Sequence, residues 1–117
     1  MLRNILSPAV PSRAAQHAAT VLENTLSQGQ ISREQVTGWI LHPGGKDVLL
    51  ALRERLGLDE ADVRWSASIL NEFGNLSSAS VLFVLQAALA DSAPSGYWWM
   101  SSFGAGFSCQ GALLKVE

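Results

Sequence analysis

The chain has 117 residues, one domain's worth, with 48% apolar and only 15% charged residues and a net charge of −2. No basic block or stripe occurs, so nucleic-acid binding has no electrostatic footprint, and Cys109 as sole cysteine excludes an internal disulfide and fits a reducing cytoplasm. The longest strongly apolar stretch, Ala79 to Ala90, falls short of the roughly 20 residues of a membrane span, and Arg3, Pro8 and Pro11 interrupt any secretory signal core.

In chain order, Leu2 to Leu6 reads as a short strand, and Pro8 and Pro11 break regular structure after it. A helix is predicted from Ser12 to Leu26, because Ala15, Ala18, Ala19, Leu22 and Leu26 fall on one face, and Gly29 closes it. Ser32 with Gln35 forms a capping box for a short second helix. Gly38 to His42 is an apolar run of strand length that stops at Pro43, and Pro43-Gly44-Gly45 is a turn. A third helix is predicted from Lys46 to Leu56, with Val48, Leu49, Leu52 and Leu56 inward and Gly57 as its cap. Asp59 to Val63 reads as a brief helical turn, and Ser66 as the N-cap of a helix through Glu72 that ends at Gly74.

A long helix is predicted from Ser77 to Asp91. Val81 to Leu85 and Ala87 to Leu89 cover nearly its whole circumference, and a helix apolar all round is buried on all sides. A domain of this size can hardly bury one completely. Charged residues usually make up about a quarter of a soluble domain. The deficit here has two readings: part of the surface is covered by something else, or the domain is compact and Ala-rich. Tyr97 to Phe103 and Phe107 to Val116 read as two strands joined by Gly104-Ala105-Gly106. Helices alternating with buried strands give a layered α/β fold.

Two glycine motifs mislead. Gly45-Lys46 is not a phosphate-binding loop, since Asp47 stands where Ser or Thr is required and Ile40 where the first glycine belongs. Gly104-Ala105-Gly106 lies between two strands rather than between strand and helix, and Cys109 occupies the third glycine's position of a dinucleotide fingerprint. His17, His42 and Cys109 are scattered, with no pair at metal-ligand spacing. Cys109 lies in the last apolar strand and reads as a small core residue rather than a nucleophile.

Three segments carry the chemistry: His42-Pro43-Gly44-Gly45, Gly74-Asn75-Leu76-Ser77-Ser78-Ala79 and Phe103-Gly104-Ala105-Gly106-Phe107. Taken singly, His42 fits a hydrogen-bonded buried histidine as well as a catalytic one, Asn75 fits a helix cap, and the glycines fit turns. Taken together, in this order and with some 30 residues between the first two, they resemble the second half of type III polyketide synthases, the chalcone and stilbene synthase branch of the thiolase-like condensing enzymes. Leu6 to Pro11 is similar to that family's approach to its first helix in this region.

The resemblance implies a thiolase-like layered α/β fold, of which residues 1–117 are the C-terminal part, with a buried helix and a C-terminal antiparallel hairpin. It implies decarboxylative condensation of malonyl-CoA onto an acyl-CoA starter, with coenzyme A thioesters as substrates and no separate cofactor or metal. His42 and Asn75 match the family's oxyanion donors. Gly44 and Gly45 match small residues beside the pantetheine tunnel, Ser77 a position that shapes the product cavity, and Phe103, Gly104 and Gly106 a loop of the cavity wall. The nucleophilic cysteine belongs to the family's N-terminal half, which these residues do not include, so the chain by itself is expected to be inactive. The complete enzyme is expected to be a cytoplasmic homodimer. Lys46, Asp47 and Ala105 depart from the plant pattern of Pro, Ala and Pro. The end of the chain also resembles 3-oxoacyl-(acyl carrier protein) synthase of the coenzyme A-primed type. That family has His-Gln-Ala-Asn in place of His42-Pro43-Gly44-Gly45, which favours the polyketide branch. A third reading is a non-catalytic chain that completes a partner polypeptide.

Overall fold

The structure, a computed structural model, describes residues 9–42, 45–74, 80–91, 94–103 and 109–117, with side chains from residue 11 onward. The expected strand at Leu2 to Leu6 lies outside the described residues. Helix α1 spans Ala9–Gly29, strand β1 Val36–Leu41, and helices α2, α3 and α4 span Lys46–Leu56, Arg64–Phe73 and Ser80–Ala90. Strands β2, Gly96–Phe103, and β3, Cys109–Val116, complete the chain.

Two starts differ from the sequence reading. Helix α1 begins before Ser12 and takes Pro11 into its first turn, where a missing N–H costs nothing because that turn has no intrahelical acceptor for it. Ser66 does not cap α3 but lies inside it, fully buried, two residues after its start. Ser32 and Gln35 do pair, the Ser32 N–H donating to Gln35 Oε1 at 2.8 Å, but they set a single 3-10 turn, Arg33–Gln35. Helix α2 and its inward residues Val48, Leu49, Leu52 and Leu56 are as the periodicity requires.

The described strands form one sheet in the order β1-β2-β3. Strand β1 pairs parallel with β2, with Trp39 beside Trp99 and Leu41 beside Ser101. Parallel neighbours need a long crossover, and α2, α3 and α4 make it. Strand β2 pairs antiparallel with β3, from Gly96 beside Val116 to Phe103 beside Cys109, which is the expected hairpin.

Helices lie on both faces of the sheet. On one face, α1 and α2 pack Ala18, Leu22, Val48 and Leu52 against Trp39, Leu41, Trp99 and Phe103. On the other, α3 and α4 pack Trp65, Ile69, Val81, Val84 and Ala88 against Ile40 and Trp98. Successive strand residues face opposite sides, so Trp98 and Trp99, both fully buried, fill one core each.

Only one side of α4 is buried. Val81, Val84 and Ala88 face the sheet, while Leu82, Phe83 and Leu89 are 58%, 48% and 56% exposed. Phe73 at the end of α3 stacks on Phe83, ring centres 6.1 Å apart, and is itself 51% exposed. A domain of this size does not enclose the helix, as expected: the outer face is apolar and uncovered. No described helix is long and apolar enough to cross a membrane.

The packing of the Trp98 side chain of β2 over β1 depends on Gly38. A Cβ there would lie 2.6 Å from Trp98 Cδ1 and 2.7 Å from Cγ, and Trp98 is fully buried. Forcing one carbon into a packed core costs about 1–3 kcal/mol. Gly38→Ala should therefore lower the urea midpoint by that equivalent, and an unchanged midpoint would show that Trp98 can shift freely.

Candidate active site

The ends of β1 and β2 hold the site. His42 directly follows β1, and its backbone N–H donates to the Ser101 carbonyl on β2 at 2.9 Å, so the parallel ladder extends one residue past Leu41. The preceding carbonyl is fixed from the other side, where Ser66 Oγ of α3 donates to Leu41 O at 2.7 Å. The backbone at His42 is thus tied to both a strand and a helix. The side chain is 6% exposed, and its ring lies 6.5 Å from that of Phe103, tilted by 47°. Phe103 is buried at the last position of β2.

Gly45 opens α2, and its carbonyl accepts the Leu49 N–H at 3.0 Å. Its φ of 108° with ψ of 162° belongs to a region that side chains avoid, so the turn from His42 into α2 needs a glycine at this point. Of the eight sequence-predicted site residues, the structure brings His42 and Phe103 into contact and sets Gly45 three residues beyond His42. Gly44, Asn75, Ser77, Gly104 and Gly106 lie outside the described residues.

Two serines, Ser66 and Ser101, were missed as parts of the site. Ser66, Ser80 and Ser101 are all buried. Ser66 anchors the peptide before His42, and Ser101 supplies the carbonyl that holds its N–H. Among the described residues, Ser80 Oγ, Ser101 Oγ and Trp99 Nε1 have no hydrogen-bond partner. A signal for Ser101 was present, since a strand residue two from Trp99 and two from Phe103 shares their inward face. Ser66 carried no such signal, because serine near a helix start reads as a cap.

Cys109 stands opposite Phe103 in the ladder, half-buried at the edge of the α1–α2 core. Burial raises its thiol pKa, so the protonated thiol dominates at neutral pH. That is the state of a packing residue, not of an activated nucleophile.

With this geometry in hand, comparison with known proteins fixes the class. The family model for the C-terminal domain of chalcone and stilbene synthases matches residues 2–116, and the chain belongs to that family. A 3,5-dihydroxyphenylacetyl-CoA synthase of Streptomyces toyocaensis is 34% identical over 112 residues, which are 94% of this chain and 29% of that protein. The same enzyme of Amycolatopsis orientalis is 33% identical over 112 residues, 94% of this chain and 30% of its own length. The crystal structure of PKS-I from the brown alga Ectocarpus siliculosus superposes with a TM-score of 0.81 at 32% identity, covering 96% of this chain and 32% of that one. The α/β architecture is thus that of the C-terminal part of a thiolase-like polyketide synthase, and the chain spans under a third of the length of these relatives.

The raised thiol pKa has a direct consequence. Iodoacetamide reacts with thiolate, so Cys109 should label more slowly than a small free thiol near neutral pH and faster as pH rises. Mass spectrometry of timed samples reads the rate; labelling at or above the free-thiol rate would overturn the assignment of Cys109 to packing.

Proposed function

We propose that this chain is the C-terminal part of a type III polyketide synthase-like acyltransferase that condenses malonyl-CoA onto an acyl-CoA starter with loss of carbon dioxide. The observation that carries this reading is the buried His42, tied at the end of β1 by Ser101 and Ser66 and set against Phe103. The relatives named as 3,5-dihydroxyphenylacetyl-CoA synthases add that coenzyme A thioesters are handled by this family.

In the proposed reaction, the nucleophilic cysteine comes from residues outside these 117 and carries the starter as a thioester. The bond between the malonyl carboxylate and its α-carbon breaks, carbon dioxide leaves, and the electron pair stays on the α-carbon. That carbon attacks the acyl carbonyl, a new C–C bond forms, and the C–S bond breaks to return the thiolate. Negative charge gathers on a thioester oxygen during decarboxylation and on the tetrahedral intermediate afterwards. Two neutral donors aimed at that oxygen, His42 and Asn75, stabilise it without reorganising. Gly44 and Gly45 let the backbone approach the pantetheine arm. Ser77, Phe103, Gly104 and Gly106 shape the wall against which the growing chain lies. The substrates are the cofactor carriers themselves, so no further cofactor enters.

The exposed face of α4 supports a second part of the reading. Leu82, Phe83 and Leu89 with Phe73 form an apolar face on a chain that spans under a third of its relatives. It packs against the rest of the enzyme, whether joined to this chain or a separate polypeptide.

In the complete enzyme, His42→Ala and Asn75→Ala should each slow malonyl-CoA decarboxylation on the order of 10²–10³-fold, the usual effect of losing one oxyanion donor. Release of carbon dioxide from labelled malonyl-CoA measures it, and a near-normal rate removes that residue from the role.

Purified alone, the 117-residue chain should associate through α4. Contiguous exposed apolar surface beyond a few hundred Å² is unusual on a monomer. Light scattering after size exclusion should give a mass above that of the monomer, and Leu82→Lys with Phe83→Glu should lower it. A sharp monomer with cooperative unfolding and no binding of an apolar dye would show a self-sufficient domain instead.

A further inference from the structure

Serine is an unfavourable choice at position 66. The residue lies in the first turn of α3 and is fully buried. Alanine has the higher helix propensity and brings no hydroxyl to bury. Inside a helix, a serine hydroxyl usually turns back to a carbonyl of its own preceding turn. Ser66 instead reaches another element: its Oγ donates to Leu41 O at 2.7 Å, 25 residues away in sequence.

That carbonyl belongs to the same peptide unit as the His42 N–H, which donates to Ser101 O at 2.9 Å. A trans peptide is planar, and its C=O and N–H point in opposite directions. The unit is therefore held from both sides, by β2 at the nitrogen and by α3 at the oxygen. Turning the plane would change ψ of Leu41 and φ of His42 together and break both bonds. The orientation of the plane sets the direction in which the His42 Cβ leaves the chain. Strand β1 ends at Leu41, so strand pairing holds this peptide on one side, and Ser66 holds it on the other. Ser101 contributes a main-chain carbonyl, which any residue at that position would offer. Ser66 contributes a side chain, so its identity matters.

We infer that Ser66 is a positioning residue for decarboxylation: its hydroxyl aims the His42 ring by holding the peptide that precedes it. The inference rests on the reading of His42 as an oxyanion donor and adds a residue that acts through it. A donor of this kind is effective only when it is aimed beforehand at the place where charge develops.

Malonyl-CoA decarboxylation by the complete enzyme tests this, with kcat and KM measured separately. Ser66→Ala and Ser66→Cys both remove the strong donor. Each should lower kcat roughly tenfold at unchanged KM, less than the roughly 10²-fold that a 1 Å misplacement can cost. Ser66→Thr keeps a hydroxyl and should restore most of the rate. Added to His42→Ala, Ser66→Ala should cause no further loss, because its effect passes through that ring. Circular dichroism confirms helix content in every variant, and where Ser66→Ala unfolds, Ser66→Cys, close to serine in size, carries the test. Unchanged kcat in a folded variant without the hydroxyl, an equal loss in Ser66→Thr, or a further loss in the double variant overturns the inference. A normal rate in His42→Ala overturns the proposed reaction and this inference with it. A slowed His42→Ala beside a normal Ser66→Ala overturns this inference alone.

Discussion

Strand β2 is the constraint on which the rest of the molecule depends. It is the only described strand with two neighbours, parallel to β1 and antiparallel to β3. Trp98 and Trp99 go to opposite sides of it and are both fully buried, so a single dipeptide anchors both helical layers. Burying one large apolar side chain contributes about 1.5–3 kcal/mol. A one-residue slip would turn each indole into the wrong core, so the packing itself fixes the register. The same strand then reaches the chemistry. Two residues past Trp99, the Ser101 carbonyl holds the His42 N–H, and two residues further Phe103 meets the His42 ring. The position of the candidate donor is thus an outcome of how two tryptophans pack.

What the sequence made legible follows from periodicity. Helix α2 and its four inward residues could be read because Val48, Leu49, Leu52 and Leu56 recur at helical spacing between two glycines. The β2–β3 hairpin followed from alternation interrupted by Gly104 and Gly106. What escaped has local signals that are ambiguous. Proline is a breaker in mid-helix and welcome in the first turn, so Pro11 could not fix the start of α1. Serine near a helix start reads as a cap, yet Ser66 faces inward because its hydroxyl finds a carbonyl on another element, Leu41 O. A contact between residues 25 positions apart leaves no trace in local pattern. For the site, His42 and Phe103 were named from family likeness, but their mutual contact and the tie to Ser101 needed the fold.

The support of His42 is internal to this chain. The strand before it, the carbonyl that accepts its N–H, the serine behind it and the aromatic ring beside it all lie between residues 36 and 103. On the proposed reading, one oxyanion donor is therefore positioned by this part of the enzyme alone, while the nucleophile arrives on another. Such a division requires the two parts to meet in one orientation, and an unstrained surface that permits sliding would not provide it. Phe73 stacked on Phe83 gives the outer face of α3–α4 relief, and interdigitating apolar relief fixes orientation in a way that a flat face does not.

The low charge content can now be located. Three helices present polar residues outward: Arg13, Gln16, Thr20 and Glu23 on α1, Asp47, Glu54 and Arg55 on α2, and Arg64, Ser68, Asn71 and Glu72 on α3. Helix α4 carries no charged residue from Ser80 to Ala90, and its exposed positions include Leu82, Phe83 and Leu89. A compact Ala-rich domain would spread its charge deficit over all its surfaces, because each would face water alike. Here the deficit is concentrated on one helix whose two faces are both apolar. A helix facing water on one side keeps a polar stripe there, and only one designed to lie between two layers dispenses with it. Between the two readings that composition left open, the distribution of charge therefore favours a surface made to be covered.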